Sequence, residues 1–269
     1  MATSADSTIS KTREMIYSKS HQFIFCHVPK TGGTSLRQAL KPFRPRWEQS
    51  LPLKVLRKLP GAESNSLLYD FTNRPHTTCA KAQKLLRHSY DNLFAFALIR
   101  EPSEWLLSCY RFFMLGHSRV RGSSRPVRNF EEYLQAMIEL GGKKPSQGAM
   151  IIDSSGELLV DRIGLFSQID AFANEVSDRL RLGLPQLEHL NINPSTEHAP
   201  ESLDREVSQD QLMDFVSKYW GLDLAIWKLA LSSSSAASLR GYRFDSSLIP
   251  AVDLEMYDPW GQFVWESIV

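Results

Sequence analysis

The feature that most constrains this chain is an apolar run that ends in a turn with two glycines. Residues 23–28 read Phe-Ile-Phe-Cys-His-Val, and residues 29–35 continue as Pro-Lys-Thr-Gly-Gly-Thr-Ser. A run without polar alternation predicts a strand covered on both faces, as in the parallel sheets of α/β proteins. A helix is predicted to begin near Thr34. The segment therefore predicts a strand, a turn and a helix within an α/β fold.

This turn has the chemistry of an anion site. Gly32 and Gly33 let the backbone approach a ligand closely. The first N–H groups of the next helix and the positive end of its dipole point toward that ligand. Lys30 adds a positive charge, so a phosphate or sulfate matches the turn best. Further donors are the hydroxyl groups of Thr31, Thr34 and Ser35.

The motif excludes one alternative interpretation of this turn and leaves another open. A nucleotide triphosphate loop needs the pattern G-x-x-x-x-G-K-[ST], with the lysine after the last glycine. Here Lys30 precedes Gly32 and Gly33, and no upstream glycine fills the first position. The turn could also simply join a strand to a helix, with Thr34 or Ser35 as the helix cap.

A second apolar run of strand length carries a second polar motif. Residues 93–99 read Leu-Phe-Ala-Phe-Ala-Leu-Ile, and Arg100 follows directly. Pro102 suits the start of a helix, and Ser108 lies about two helical turns further on. Ligands of parallel sheets collect at the carboxyl ends of the strands. Arg100 and Ser108 are therefore predicted to reach one phosphate.

The two motifs together resemble those of sulfotransferases that use 3′-phosphoadenosine 5′-phosphosulfate (PAPS), in the branch of the carbohydrate and Golgi-type enzymes. Residues 27–36 are similar to the 5′-phosphosulfate loop of that family. Residues 99–102, continuing to Ser108, are similar to its 3′-phosphate motif, an Arg-Asx-Pro turn followed by a helical serine. Glu101 stands where the family usually has Asn or Asp. Weaker similarity brings the coverage to roughly residues 21 to 230.

The resemblance implies a doubly wound parallel sheet with flanking helices, similar in layout to the P-loop nucleotide kinases. It implies PAPS as donor, its desulfated product PAP, and no metal. Lys30 would stabilise the leaving group, while Arg100 and Ser108 would hold the 3′-phosphate. The 5′-phosphate would be held by Thr31, Gly32, Gly33, Thr34 and Ser35.

The acceptor in this interpretation is a hydroxyl or amine of a carbohydrate or small metabolite, and a hydroxyl needs a base. His76 is the preferred candidate, because relatives carry a histidine before their 3′-phosphate motif. His27 is expected to pack within its strand, and His189 to make a structural hydrogen bond. Asp70 and Glu101 are the carboxylate alternatives.

Two other functions stay as alternatives to a sulfotransferase. One is a nucleotide-dependent kinase, against which the position of Lys30 argues, as does Arg100 where a magnesium-binding Asp is expected. The other is a binding module that retains the nucleotide pocket without turnover. Nucleic-acid binding is not expected, because 31 Lys and Arg balance 30 Asp and Glu and no binding motif accompanies them.

An arginine-rich segment lies between Trp105 and Phe130 and contains no acidic residue. It is either a mobile loop that admits an anionic acceptor or closes over the nucleotide, or a solvated basic loop. Its arginines are Arg111, Arg119, Arg121, Arg125 and Arg128.

The chain is predicted to contain one main domain. Residues 1–20 form a flexible leader, with a short helix near residues 11–17. Residues 21–231 form the enzyme domain, and residues 232–269 form a Ser-rich linker and an aromatic tail. The tail is expected to pack on the same domain, with acceptor coverage or a homodimer contact as alternatives. Helical spacing is predicted over residues 77–88, 130–140 and 171–182.

Cysteine usage and hydropathy predict a soluble cytoplasmic protein. The three cysteines cannot all pair, and two lie in apolar segments where they act as small hydrophobes, so a reduced compartment is expected. No apolar signal region or span of about 20 apolar residues is present, so the expectation is a protein without membrane association, or one from which a membrane anchor has been removed. The cysteines are Cys26, Cys79 and Cys109.

Overall fold

A four-stranded sheet forms the centre of the protein in a computed structural model. The model describes residues 15–44, 77–114, 119–120, 127–188, 209–233, 237–255, 257 and 263–264. The strands are β1 (Ile16–Ser18), β2 (Phe23–Cys26), β3 (Phe94–Ile99), β4 (Arg119–Val120), β5 (Arg162–Leu165) and β6 (Phe263–Val264). The central sheet has the order β1-β2-β3-β5, and β4 pairs separately with β6.

The three strands β2, β3 and β5 are parallel to one another, whereas β1 pairs antiparallel with β2. The sheet is therefore mixed, with a parallel centre as the two apolar runs predicted. The predicted leader is wrong at residues 15–18. Met15, Ile16 and Tyr17 are buried, and residues 16–18 form an edge strand instead of a helix. Pairing with β2 places Met15 and Tyr17 in the apolar cluster on one face of the sheet and Ile16 in the cluster on the other face.

Eight α-helices surround the sheet in the described residues, and the side chains of Thr78 and Asn129 cap two of them. Thr78 Oγ1 accepts from the N–H of Lys81 at 3.1 Å, and Asn129 Oδ1 accepts from the N–H of Glu132 at 2.8 Å. The helices are α1 (Gly33–Leu40), α2 (Cys79–Leu86), α3 (His88–Asp91), α4 (Pro102–Met114), α5 (Phe130–Glu139), α6 (Ile169–Leu180), α7 (Gln209–Tyr219) and α8 (Gly221–Ser232).

Both faces of the sheet are covered by helices, which confirms the doubly wound α/β fold. On one face, Ile24 and Ala97 pack with buried residues of α2 and α8. On the other face, Phe25 and Phe96 lie 5.4 Å apart between ring centroids and pack with α1 and α6. A third cluster joins α4, α5 and α7. Its largest members are Trp105, Tyr110, Phe130, Tyr133 and Trp220.

Cys26 and Cys79 form a disulfide, with their Cα atoms 6.5 Å apart. The bond links the last residue of β2 to the first residue of α2. The expectation of reduced, separate thiols is therefore wrong for this pair. Their separation of 53 positions hides their proximity in the sequence, and the packing of α2 on the sheet creates it. Cys109 is free and buried, and burial raises the pKa of its thiol.

Arg240 fastens the segment after α8 to the amino-terminal edge of the sheet. Its Nη2 donates to the carboxylate of Asp161 and to the carbonyl of Leu93, both at 2.5 Å. Leu93 precedes β3 and Asp161 precedes β5, so Arg240 lies at the edge opposite the carboxyl ends of the strands. Leu239, Phe244 and Leu254 are buried in the same core as α2. Within the described ranges, no helix is both long and apolar enough to cross a membrane.

We expect reduction to destabilise the fold through the Cys26–Cys79 bond. The disulfide closes a loop of about 54 residues, and the loss of that constraint on the unfolded chain corresponds to roughly 4 kcal/mol. Dithiothreitol should lower the melting temperature of the wild type by on the order of 10 °C. The double variant Cys26→Ala/Cys79→Ala is the control and should melt at one temperature with or without the reductant. An equal response of both proteins to dithiothreitol would contradict the assignment.

Candidate functional site

The turn after β2 has the backbone geometry that the anion site requires. Lys30 has φ of 65° and Gly32 has φ of 74°, both in the left-handed region. Helix α1 then begins at Gly33. Within the described residues no side chain caps its first turn, and that turn contains no acidic residue. The N–H groups at this helix end therefore face the turn without a carboxylate that would compete with an anionic ligand.

Gly32 lies directly against an aromatic ring. A Cβ atom at this position would stand 2.6 Å from Cδ2 and Cε2 of Phe166 and 3.3 Å from Cδ1 of Ile169. The positive φ and this close contact both exclude a larger residue. Thr31 is buried, and its hydroxyl donates to the carbonyl of Val28 at 2.8 Å. Its side chain thus stabilises the turn itself.

Helix α4 begins immediately after β3, and Glu101 acts as its cap. The Glu101 carboxylate accepts from the N–H of Glu104 at 2.8 Å and also from the hydroxyl of Ser103. This is the role that the short Asn or Asp side chain plays at many helix starts. Glu101, in place of the Asn or Asp expected from the resemblance, therefore still stabilises the start of the helix. Its carboxylate is engaged with helix donors, which argues against the alternative of Glu101 as the base.

The main chain of Arg100 is held by a buried glutamine. The Arg100 N–H donates to Gln147 Oε1 at 2.8 Å, and Gln147 Nε2 donates to the Arg100 carbonyl at 2.9 Å. Gln147 is only 1% exposed. The paired bonds fix the direction in which the chain leaves β3, and hence where the Arg100 side chain starts.

Asp223 of α8 anchors this glutamine segment. Its carboxylate accepts from the hydroxyl of Ser146 at 2.5 Å and from the N–H groups of Gln147 and Gly148, each at 2.9 Å. Burial raises the pKa of Asp223, and these three hydrogen bonds oppose the shift. Sequence reasoning missed both Gln147 and Asp223. No local motif marks them, because their partners lie 47 and about 76 residues away.

Two aromatic residues of α4 join this helix to the turn after β2. Trp105 Nε1 donates to the carbonyl of Pro29 at 2.8 Å, and both residues are buried. The ammonium nitrogen of Lys30 lies 4.4 Å from the ring centroid of Phe112. Ser108, which is half-buried, is three residues after Trp105 and four before Phe112. It therefore lies near the stripe of α4 that faces the turn.

The structure thus brings Lys30, Gly32, Arg100 and Ser108 to one edge of the sheet, where β2 and β3 end. Arg100 approaches Phe166, with the guanidinium carbon 4.6 Å from the ring centroid, and Phe166 contacts Gly32. The charges of Lys30 and Arg100 both act on the buried thiol of Cys109 and favour its ionised form. The two predicted motifs are neighbours, as one ligand that bridges them requires.

His27 is buried beneath the start of α1, against Gly33. Burial, with a smaller contribution from the charge of Arg37, lowers the pKa of His27 from 6.5 to about 3. The imidazole is therefore neutral at physiological pH, and it has little affinity for a proton. This agrees with the expectation that His27 packs within its strand rather than acting as a base.

Several predicted residues lie outside the described part of the chain. These include the preferred base His76 and the alternatives Asp70 and His189. In the arginine-rich segment, Arg111 lies in the last turn of α4, and Arg128 is exposed just before α5. Arg119 lies in β4, while Arg121 and Arg125 are also outside the described residues. Among the residues that are described, no group of three or more His, Cys, Asp or Glu is arranged to hold a metal.

Comparison with known proteins identifies similarity in the same region. A protein-family model described as "Sulfotransferase family" matches residues 13–148, about half of the chain. Carbohydrate sulfotransferase 11 from Danio rerio is 25% identical over 104 residues, which are 39% of this chain and 27% of that relative. The match therefore spans only about a quarter of the relative's length. No solved structure is significantly similar to the chain.

We expect His27 to make the stability of the protein fall on acidification. The unfolded state binds a proton near pH 6.5, whereas the folded state does so only near pH 3. Between these values His27 should lower the free energy of unfolding by about 1.4 kcal/mol per pH unit. Urea unfolding of the wild type and of His27→Gln between pH 7 and pH 5 measures this slope.

The control for this slope is His88→Gln, because His88 is an exposed imidazole in α3. His27→Gln should flatten the dependence of unfolding free energy on pH, and His88→Gln should leave it close to that of the wild type. Identical slopes for the wild type and His27→Gln would show that His27 does not remain neutral in the fold.

Proposed function

Since the chain belongs to the sulfotransferase family, we propose that it transfers a sulfuryl group from PAPS to a hydroxyl or amine of a carbohydrate. The similarity to a carbohydrate sulfotransferase supports this acceptor class, and a small metabolite is the alternative acceptor. PAP is then the product that leaves the site.

The observation that carries the proposal is the joining of the two anion-binding motifs. Trp105 of α4 donates to the carbonyl of Pro29, so the helix that follows Arg100 is fixed to the turn that contains Lys30. A donor with a phosphosulfate at one end and a phosphate at the other needs two such sites at a constant separation. A plain strand-to-helix connection needs no such link.

The residues of the site fit the two ends of such a donor. The N–H groups at the start of α1 and the hydroxyls of Thr34 and Ser35 suit the 5′-phosphate. The guanidinium of Arg100 and the hydroxyl of Ser108 suit the 3′-phosphate. The resulting site is cationic at both ends and contains no metal ligand set among the described residues.

When bound, PAPS supplies the activated sulfuryl group. Lys30 is proposed to stabilise the negative charge that develops on the leaving phosphate oxygen, because preorganised charge is usually the largest contribution to this type of catalysis. The aromatic ring of Phe112 and the left-handed backbone at Lys30 restrict where its ammonium group can lie. Such restriction favours positioning and electrostatics over a covalent intermediate.

His76 is proposed to take the proton from the acceptor hydroxyl. The residues that follow His76 in the sequence support this role. Cys79, three residues after His76, is bonded to Cys26, which lies four residues before Lys30. Thr77 is buried, and the Cys26–Cys79 bond holds the start of α2 at the carboxyl end of β2, three residues after His76. A histidine has a pKa suited to a base at neutral pH.

The Cys26–Cys79 bond also bears on the compartment. Disulfides persist in oxidising environments and are rare in the reduced cytoplasm. We therefore propose that the protein matures in an oxidising compartment, in place of the cytoplasmic location expected from the sequence. A homodimer remains a prediction.

Lys30→Ala is expected to reduce sulfuryl transfer by roughly 10²- to 10³-fold, because it removes preorganised positive charge. Labelled PAPS is incubated with a panel of carbohydrate and small-molecule acceptors, and PAP affinity is measured by calorimetry. Lys218→Ala is the matched control, since Lys218 also lies over an aromatic ring, 5.1 Å from the centroid of Tyr219, but on α7. It should keep wild-type activity.

Failure of the wild type to bind PAP would overturn the proposed function. PAP binding without labelled product from any acceptor would instead identify a nucleotide-binding module without turnover. Unchanged transfer by Lys30→Ala would remove Lys30 from the chemistry.

His76→Ala is expected to lower transfer to hydroxyl acceptors by about 10²- to 10⁴-fold, the usual contribution of general base catalysis. The affinity for PAP should stay within about twofold of the wild type, because a base contacts the acceptor rather than the nucleotide. The exposed His88→Ala serves as control. A parallel loss of PAP affinity and activity would refute the role of His76 as base.

A further inference from the structure

We propose that Phe166 is a positioning residue that fixes Arg100 and sets its separation from the Gly32 turn. Through this separation it would determine the preference for a nucleotide with two anionic ends over one with a single 5′-phosphate. The inference rests on the proposed function and extends it to the selection of the donor.

The sheet itself places Phe166 beside Arg100. In the parallel pair of β3 and β5, Ile99 is opposite Leu165. Arg100 directly follows β3 and Phe166 directly follows β5, so the two residues lie side by side where the strands end. Their proximity is therefore set by backbone hydrogen bonds and does not depend on a flexible loop.

Phe166 covers the face of the Arg100 guanidinium. The guanidinium carbon is 4.6 Å from the ring centroid, within the range of cation–π attraction. The carboxylate of Glu104 accepts from Nε of Arg100 at 3.1 Å. The ring and the carboxylate thus engage the guanidinium face and Nε, which leaves the two Nη groups as the remaining donors. Those donors are the ones that a phosphate could engage bidentately.

The same ring also contacts the turn after β2. Two of its carbon atoms would lie 2.6 Å from a Cβ at Gly32, so only a glycine allows this approach. One side chain therefore touches both predicted anion sites. Its rigid ring, which has two rotatable bonds, acts as a spacer of constant size between them.

A leucine at position 166 would keep an apolar contact with Gly32 but would lose the aromatic face. Arg100 would then be held in place mainly by the half-exposed Glu104, whose side chain is 55% exposed. An ion pair that is this exposed stabilises the position of a side chain only weakly. The expected consequence is a weaker 3′-phosphate site beside an intact 5′-phosphate site.

The test compares two nucleotides on the full chain by calorimetry: adenosine 3′,5′-bisphosphate and adenosine 5′-monophosphate. Phe166→Leu should weaken bisphosphate binding by on the order of 10-fold and change monophosphate binding by less than about twofold. Phe166→Tyr should restore the wild-type ratio of the two affinities, because it retains the ring. In the background of Arg100→Ala, Phe166→Leu should no longer alter that ratio.

Phe94→Leu is the matched control. Phe94 is also partly buried and lies under an arginine, with the Arg179 guanidinium carbon 4.3 Å from its centroid. It stands at the first residue of β3, the opposite end of that strand from Ile99, where no donor group is proposed to bind. Its removal should leave the ratio of the two affinities unchanged.

The outcomes separate this inference from the proposed function. Wild-type protein that does not prefer the bisphosphate would overturn both. A wild-type preference that Phe166→Leu retains, or an equal loss of both affinities in Phe166→Leu, would overturn the role of Phe166 alone. An effect of Phe166→Leu on the ratio that persists without Arg100 would also overturn it, since the ring would then act by another route.

Discussion

The parallel pairing of β2, β3 and β5 is the constraint on which the rest of this structure depends. Parallel strands end at one edge, so Cys26, Ile99 and Leu165 deliver three different chain segments to the same place. Lys30, Arg100 and Phe166 follow those strand ends within a few residues. The backbone hydrogen bonds of the sheet therefore fix the relative positions of groups that are far apart in sequence, and neighbouring side chains need only refine them.

That refinement comes from buried polar contacts, each of which satisfies a backbone group near the site. Trp105 donates a hydrogen bond to the carbonyl of Pro29, and Gln147 hydrogen-bonds both the N–H and the carbonyl of Arg100. Asp223 in turn holds the segment of Gln147. A buried polar group that loses its partner costs about 1–3 kcal/mol. This network therefore resists movement at the strand ends, where a transferase needs constant geometry.

Both departures from the sequence-based expectations arise from packing over long separations. Residues 16–18 form an edge strand because the open side of β2 offers backbone partners, which hydropathy over a short window does not reveal. Cys26 and Cys79 meet because α2 covers the face of the sheet toward which Cys26 points. Glu101 shows the reverse case. It breaks the family pattern in sequence but fulfils the same capping role, because its longer side chain still reaches the helix donors.

The sequence by itself determined the features that depend on local chemistry. Two uninterrupted apolar runs specified the inner strands, a pair of glycines after Lys30 specified the turn, and Pro102 after Arg100 specified the start of α4. Side-chain periodicity and backbone preference act over a few residues, so they can be read from such segments. Only the tertiary structure decided that Phe166 lies between the two motifs and that Gln147 holds Arg100. These contacts result from strand register and helix packing, which join residues 47 to 134 positions apart, and no short pattern records them.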